Sequence, residues 1–352
     1  MKIPVFSSTI RRKEMDAVLS CMVSERIGPG ELNIRLVQQI KEQFAVDGCA
    51  ALRSPAIALK YALKAVDLPA ESGVMISALA PAWQFYVIKE LGFKPVVLDV
   101  AAETALVTVA AVEEGMKNGG RLLLLHETLG LVPDFAGLSA LGIPIIEDIS
   151  QNAGAVLGVK AGDSDEIVEQ NAGTFGLYTI LGLEEQDILT AGGGAALLAP
   201  KRREWIVLKK FIDEAPVTDI LPDINSALAS VQIKERSRNE QIRREMRELY
   251  IRSLMQGRHA TFMNAADNAT NVVYSFPVLL SSGLKDVKQY AARKEIDLEN
   301  AFDNSVAAKY EEAVENCPVA KSLVLRTVLF PLYPRLGMAT AAKIAKVLAT
   351  LP

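Results

Sequence analysis

The chain reads as an α/β protein: one mostly parallel sheet of seven strands, followed by a smaller α/β region. Three observations carry this reading. From about residue 48 to 200, short apolar runs alternate with stretches of helical periodicity, the pattern of strands interleaved with covering helices. At Ile143-Pro-Ile-Ile-Glu-Asp148 an apolar run ends in an acidic pair, and small and amide residues follow through Ala155. A buried parallel strand whose carboxyl end opens into a ligand crevice has this form. After Pro222 the texture changes to a long Arg/Glu-rich helical stretch.

Taken in order, Cys49–Leu52 predicts a first strand and Ile57–Val66 the helix after it. Val74–Leu79 and Pro95–Val100 are strands flanking a helix around Gln84–Leu91. Arg121–His126, Ile143–Asp148, Phe175–Ile180 and Gly193–Ala199 complete the seven. Asp223 to about Gln256 predicts one long helix, with apolar positions at Ile224, Ala227, Leu228, Val231 and Ile233. Asp223 stands where an N-cap residue would, with Pro222 tolerated just outside. The alternation of Arg and Glu from Lys234 to Arg252 suits a solvated helix face laced with i,i+4 pairs. Beyond it, Val272–Leu280 and Leu323–Leu332 predict strands, and Lys285–Lys294 and Ala341–Leu348 helices. The expected division is a large domain over 1–222 and, over 223–352, the long helix with a small α/β domain.

Composition narrows the function. With 352 residues, 50% of them hydrophobic, the chain can bury a large core. A formal charge of −4 gives no reason to expect nucleic acid or an anionic membrane as partner. No apolar run is long enough to span a bilayer. Cys21, Cys49 and Cys317 are scattered and lack metal spacing, which suits a reduced cytoplasm. His126 and His259 are the only histidines, too few for a histidine-rich metal centre. No strand leads into a Gly-x-Gly-x-x-Gly turn, so a dehydrogenase reading is poor.

A carboxylate at the strand end, Asp148, needs a positive partner or donors, because an unpaired buried charge is costly. A protonated cofactor ring nitrogen is one such partner. Several segments besides this one fall into a familiar order: Arg26-Ile-Gly-Pro-Gly30, Gly92-Phe-Lys-Pro-Val-Val-Leu-Asp99, and His126 with Gly130 and Pro133-Asp134. Glu147-Asp-Ile-Ser-Gln151 with Gly154-Ala155, Asp223 to Gln232 with Tyr250, and Phe330-Pro-Leu-Tyr-Pro334 continue it. Together they resemble the sugar aminotransferases of the DegT/DnrJ/StrS type, which use pyridoxal phosphate (PLP) on the fold type I PLP-transferase scaffold.

The resemblance implies roles. Asp148 would keep the pyridinium nitrogen protonated, Gln151 would bond the ring hydroxyl, Trp83 would stack on the ring, and Ser54 and Thr179 would complete the cradle. It also exposes departures. Counting back from Ala191-Gly-Gly-Gly194 puts Gln186, or Glu184 if the gap falls elsewhere, where the family carries its Schiff-base lysine, and no lysine occurs between Lys160 and Lys201. Neither an amide nor a carboxylate can form an imine or move the substrate's α-proton in this role. The family's Ser-Gly-Thr phosphate turn is Ser54-Pro55-Ala56, which removes an N–H and a hydroxyl. At ~1.5–3 kcal/mol for each bond to a charged group, that is a loss of roughly two to four powers of ten in phosphate affinity. The family's Gly-x-Asn-x-Arg is Pro216-Val-Thr-Asp-Ile220.

The leading expectation is a degenerate homologue of a nucleotide-sugar aminotransferase, a homodimer without Schiff-base catalysis that binds a small ligand such as a sugar nucleotide or acts as a regulatory partner. No metal is expected, and either no cofactor or non-covalent PLP or its aminated form, PMP. The alternative is an active enzyme of nucleotide-sugar or polysaccharide biosynthesis that holds PLP or PMP without a covalent link.

Overall fold

The computed structural model describes residues 2–160, 167–266, 268–281 and 283–352. Its central sheet takes β1 (Gly48–Leu52), β2 (Gly73–Ser77), β3 (Lys94–Leu98), β4 (Gly120–His126) and β5 (Ile145–Asp148) from the first half of the alternating region. A side ribbon, β6 (Val156–Lys160) and β7 (Ile167–Asn171), interrupts the series. β8 (Tyr178–Gly182) and β9 (Ala195–Ala199) then complete the sheet. The order is β1-β9-β8-β5-β4-β2-β3. Strands β8, β5, β4, β2 and β3 run parallel, and β9 is antiparallel to both of its neighbours. Every position of β1, β2, β8 and β9 is buried, as a sheet covered on both faces demands. This is the seven-stranded, mostly parallel sheet that the sequence predicts.

Helices α1 (Arg12–Val23) and α2 (Glu31–Phe44) precede the sheet. The crossovers are α3 (Pro55–Val66), α4 (Ala82–Glu90), α5 (Val109–Lys117) and the short α6 (Phe135–Ala140), with α7 (Arg202–Asp213) after β9. The long helix α8 spans Asp223–Leu254 and is shared between two buried clusters. Ala229 and Ile233 of its first half join the core around the large sheet, whereas Met246, Tyr250 and Leu254 join a second core. That second core rests on β11 (Phe276–Leu279), β13 (Thr327–Phe330), α9 (Leu284–Arg293) and α12 (Met338–Leu348). β10 (Ala269–Thr270) pairs with β6, and β12 (Glu299–Asn300) with β13. α10 (Val306–Lys309) and α11 (Pro318–Arg326) lie between β12 and β13, and side chains from both pack into the larger core.

Three expectations are corrected. The β6–β7 ribbon with β10 forms a separate three-stranded sheet that the apolar pattern does not announce. The first three residues of β7 are exposed, so this strand has no buried face to write into the sequence. The strand expected over Leu323–Leu332 is only Thr327–Phe330, because α11 occupies the residues before it. Pro318 opens that helix and the Asp99 carboxylate accepts from Val319 N (3.0 Å) and Ala320 N (2.8 Å), a cap supplied from over two hundred residues away. Asp223 is not the N-cap of its own helix; Pro222 is. Its carboxylate instead caps α2, accepting from Gly30 N (2.9 Å), Leu32 N (3.1 Å) and Asn33 N (2.8 Å). The start of the long helix is thereby bonded to the N-terminal turn.

Candidate functional site

The site begins with strand register. β4 and β5 pair in parallel with His126 opposite Asp148, so both residues leave the carboxyl edge of the sheet side by side. Asp148 is 1% exposed and His126 4%. His126 Nδ1 lies 2.9 Å from Asp148 Oδ2, and the same oxygen accepts from Gln84 Nε2 at 2.7 Å. Oδ1 accepts from Ser150 N (3.1 Å) and Ser150 Oγ (2.5 Å). Burial alone would raise this carboxyl, but the His126 ring and the two Ser150 donors outweigh it and hold Asp148 below the usual carboxylate range. An ionised carboxylate only accepts, so Nδ1 of His126 carries the proton in this bond.

Both oxygens of Asp148 are therefore occupied by protein donors. Gln84 is the residue that sequence reasoning missed. It sits in the first turn of α4, fully buried, one position after Trp83. A signal existed: a buried amide among Phe85, Val87 and Ile88 requires a polar partner. Trp83 itself is half-buried and packs against the large core.

Gln151 Oε1 accepts from Leu129 N at 2.6 Å. With His126, Thr128, Pro81, Phe302 and Asn304 it lines a cavity of about 80 Å³. Pockets that hold cofactor-sized ligands run to ~300–1,000 Å³. Ser54 is the N-cap of α3, its Oγ accepting from Ile57 N at 3.2 Å, and Pro55 fills the first helical position. Thr179 is buried and donates to Gly173 O at 2.8 Å, so its hydroxyl is spent on the loop before β8.

Gln186 lies exposed in the turn between β8 and β9 and borders a cavity of about 30 Å³ beside Tyr274 and Glu299. The next residue points a carboxylate inward: Asp187 Oδ2 accepts from Glu184 N at 2.8 Å. A Cβ on Gly182 would lie 2.2 Å from that oxygen and 2.6 Å from Ser150 Oγ, so glycine is required there for close approach. Burial, reinforced by the charges of Asp148 and Glu184, pushes Asp187 up to about 8.

Behind this layer, Glu127 and Glu147 are both fully buried. Glu147 accepts from Gly173 N (2.7 Å), Phe175 N (2.8 Å) and Gly176 N (2.5 Å). Burial raises Glu147 to about 7 despite those three donors. Glu127 accepts from Asn152 Nδ2 at 2.5 Å, and its Oε1 meets no donor. Burial and the Glu147 charge drive Glu127 well above the ordinary range, so Glu127 is the protonated member and donates to Glu147.

A pyridoxal phosphate does not fit these residues as they stand. The carboxylate that would meet its ring nitrogen already holds Gln84, and Pro55 has no N–H for the phosphate.

The strand order and helical cover define an α/β protein of PLP-transferase fold type I. The chain belongs to the DegT/DnrJ/EryC1/StrS aminotransferase family, whose model matches residues 8–212 and 216–349. L-glutamine:2-deoxy-scyllo-inosose aminotransferase of Micromonospora echinospora is 25% identical over 168 residues, 47% of this chain and 38% of that protein, so the chain matches under half the length of this relative. Sugar aminotransferase Spr1654 from Streptococcus pneumoniae, in its PMP form, superposes with a TM-score of 0.86 at 16% identity, over 99% of this chain and 97% of that one. GDP-4-keto-6-deoxymannose-3-dehydratase with bound GDP-perosamine superposes at 0.81 and 14% identity, over 98% and 99%. At such identities the superpositions establish the fold.

Proposed function

We propose that this chain is a cofactor-free homologue of the nucleotide-sugar aminotransferases, without Schiff-base catalysis, that binds a small ligand or acts as a regulatory partner. The observation that carries this reading is the 2.7 Å bond from Gln84 to Asp148. In the role the resemblance implies for Asp148, its carboxylate would accept from a pyridinium N–H, and here it accepts from a protein amide instead. The missing lysine over 161–200 and the proline at 55 point the same way. Retention of the whole fold, and relatives that act on sugars, support a sugar or sugar nucleotide as the ligand class.

The test is incubation of purified protein with PLP and with PMP, followed by borohydride reduction and peptide mapping. The expected result is no visible absorbance of bound cofactor and no reduced adduct on a lysine of the crevice. A stoichiometric adduct there would overturn the reading. Tight binding without an adduct would support the alternative, an enzyme that holds its cofactor non-covalently.

We also propose a homodimer. Met15, Leu19, Met22 and Val23 of α1 are all more than half exposed, and so are Ile27 and Ile34, before and after the Gly28–Gly30 turn in the chain. Exposed apolar side chains in this number are costly to leave in water. A stable monomer in sedimentation at micromolar concentration would remove the support.

A further inference from the structure

The second half of α8 carries more positive charge into the protein than its neighbours neutralise. Arg236, Glu240, Arg243 and Arg247 recur at helical spacing and share one face of the helix. Glu240 is the carboxylate whose charge acts on all three arginines. It is already engaged, because its Oε1 accepts from Val273 N at 3.0 Å and pairs with Arg244 Nε at 3.0 Å. Arg236 reaches only Ala153 O, at 3.5 Å. Arg243 and Arg247 form no ion pair and no hydrogen bond with any described residue. Arg243 is the extreme case: it is 9% exposed, and its Nε is buried without a partner. Beside it stands Tyr274, whose hydroxyl also has no hydrogen-bond partner among the described residues. Asp187 and Glu299 act on Tyr274 and not on Arg243.

We propose that Arg243 is the centre of a binding site for a small monovalent anion of the size of chloride, held between α8 and the 272–274 segment. A guanidinium cannot shed its proton to escape burial. Burial pushes Arg243 down to about 10, which still leaves it charged at neutral pH. Counting Arg244, four guanidiniums meet one carboxylate, and four less one leaves three positive charges. Water could satisfy the open N–H groups but not that charge, whereas an anion does both. Arg247, one turn along, supplies a second cation, and the Tyr274 hydroxyl is a neutral donor that burial keeps protonated. With so little of Arg243 exposed, the site admits an ion and not a sugar ring or a phosphate ester. A bound anion would tie the 272–274 segment to the helix whose two halves serve the two cores, and would thereby stabilise the native state. The proposal does not rest on the cofactor-free reading.

The test is the urea midpoint of the full chain at a constant ionic strength of about 150 mM, with sodium gluconate replaced stepwise by sodium chloride. Gluconate is too large for the site, so general screening is held fixed. The expected result is a midpoint that climbs with the logarithm of chloride concentration, as binding to the native state alone requires. Arg243→Gln should lose this dependence, and in gluconate it should be at least as stable as the parent, because the unpaired charge is gone. Arg252→Gln, which removes a charge that is 79% exposed, should keep the dependence. If Arg243→Gln does not fold, anomalous diffraction from the parent grown in sodium bromide decides, with a bromide peak expected within hydrogen-bonding distance of the Arg243 guanidinium. A midpoint indifferent to chloride, the same dependence in Arg243→Gln, or water where bromide should lie would overturn the proposal. Bromide at Arg243 with no chloride dependence would mark an adventitious ion only, and would overturn it equally.

Discussion

Gln84 Nε2 and Asp148 Oδ2 lie 2.7 Å apart in a fully buried site, so an amide of the protein already meets the carboxylate at the carboxyl end of β5. The same oxygen also meets His126 Nδ1, so the carboxylate charge is met on four sides by donors from three segments of the chain. Replacing Gln84 with leucine strips one donor from an ionised buried group. The expected cost is ~1.5–3 kcal/mol, read as a lowered urea midpoint with an unchanged slope.

Gln84 also gives a test of the cofactor-free reading proposed above. Gln186→Lys with Pro55→Gly and Ala56→Thr returns the lysine and the phosphate donors but leaves the amide on Asp148. Borohydride is expected to trap PLP on the new lysine only when Gln84→Ala is added. An adduct of equal yield in the triple variant would show that Gln84 gives way readily.

The carboxyl layer sets the pH dependence of stability. Glu127 and Glu147 start from an ordinary value of 4.5 and Asp187 from 3.8; all three are raised in the fold, Glu147 to about 7 and Asp187 to about 8. A raised acid holds a proton in the native state that the unfolded chain has already released. Its contribution is therefore whole below the unfolded value and is lost as pH rises through the folded one, at up to ~1.4 kcal/mol per pH unit for each group. Asp148 acts in the opposite sense, its contribution present above 3.8 and lost in acid. Stability should peak near about pH 5 and fall towards about pH 9. In Glu127→Gln the amide still donates to Glu147 and accepts from Asn152, so the alkaline fall should flatten. Urea midpoints across this range check both statements.

Asp223 links the long helix to α2 through three backbone N–H groups. Asp223→Ala orphans all three, and at ~1.5–3 kcal/mol per charged bond, partly replaced by water, a loss of about 2–4 kcal/mol is expected. Hydrogen exchange should rise at Gly30, Leu32 and Asn33 before any change in the central sheet. Protection unchanged at these amides would contradict the cap.

Gly154 has φ +105°, and a Cβ there would lie 1.4 Å from Arg236 Nη1 on α8. Gly154→Ala should therefore destabilise the fold by more than the ~1 kcal/mol usual for a surface glycine in the left-handed region. If Arg236→Ala restores most of the loss in a double variant, the collision is its cause.

The alternating apolar runs determined the sheet, because strands buried on both faces cannot avoid a continuous apolar signature, and Ile145–Asp148 could be placed within two residues from its pattern alone. The position of Asp148 at the end of its strand was equally legible, since it follows from local order along the chain. The three-dimensional structure decided what fills the space around it. The partners of Asp148 come from residues 84, 126 and 150, those of α2 from residue 223, and those of α11 from residue 99. Such contacts join segments far apart in sequence. Buried polar groups must find donors wherever the fold brings them, and no periodicity records which distant donor arrives.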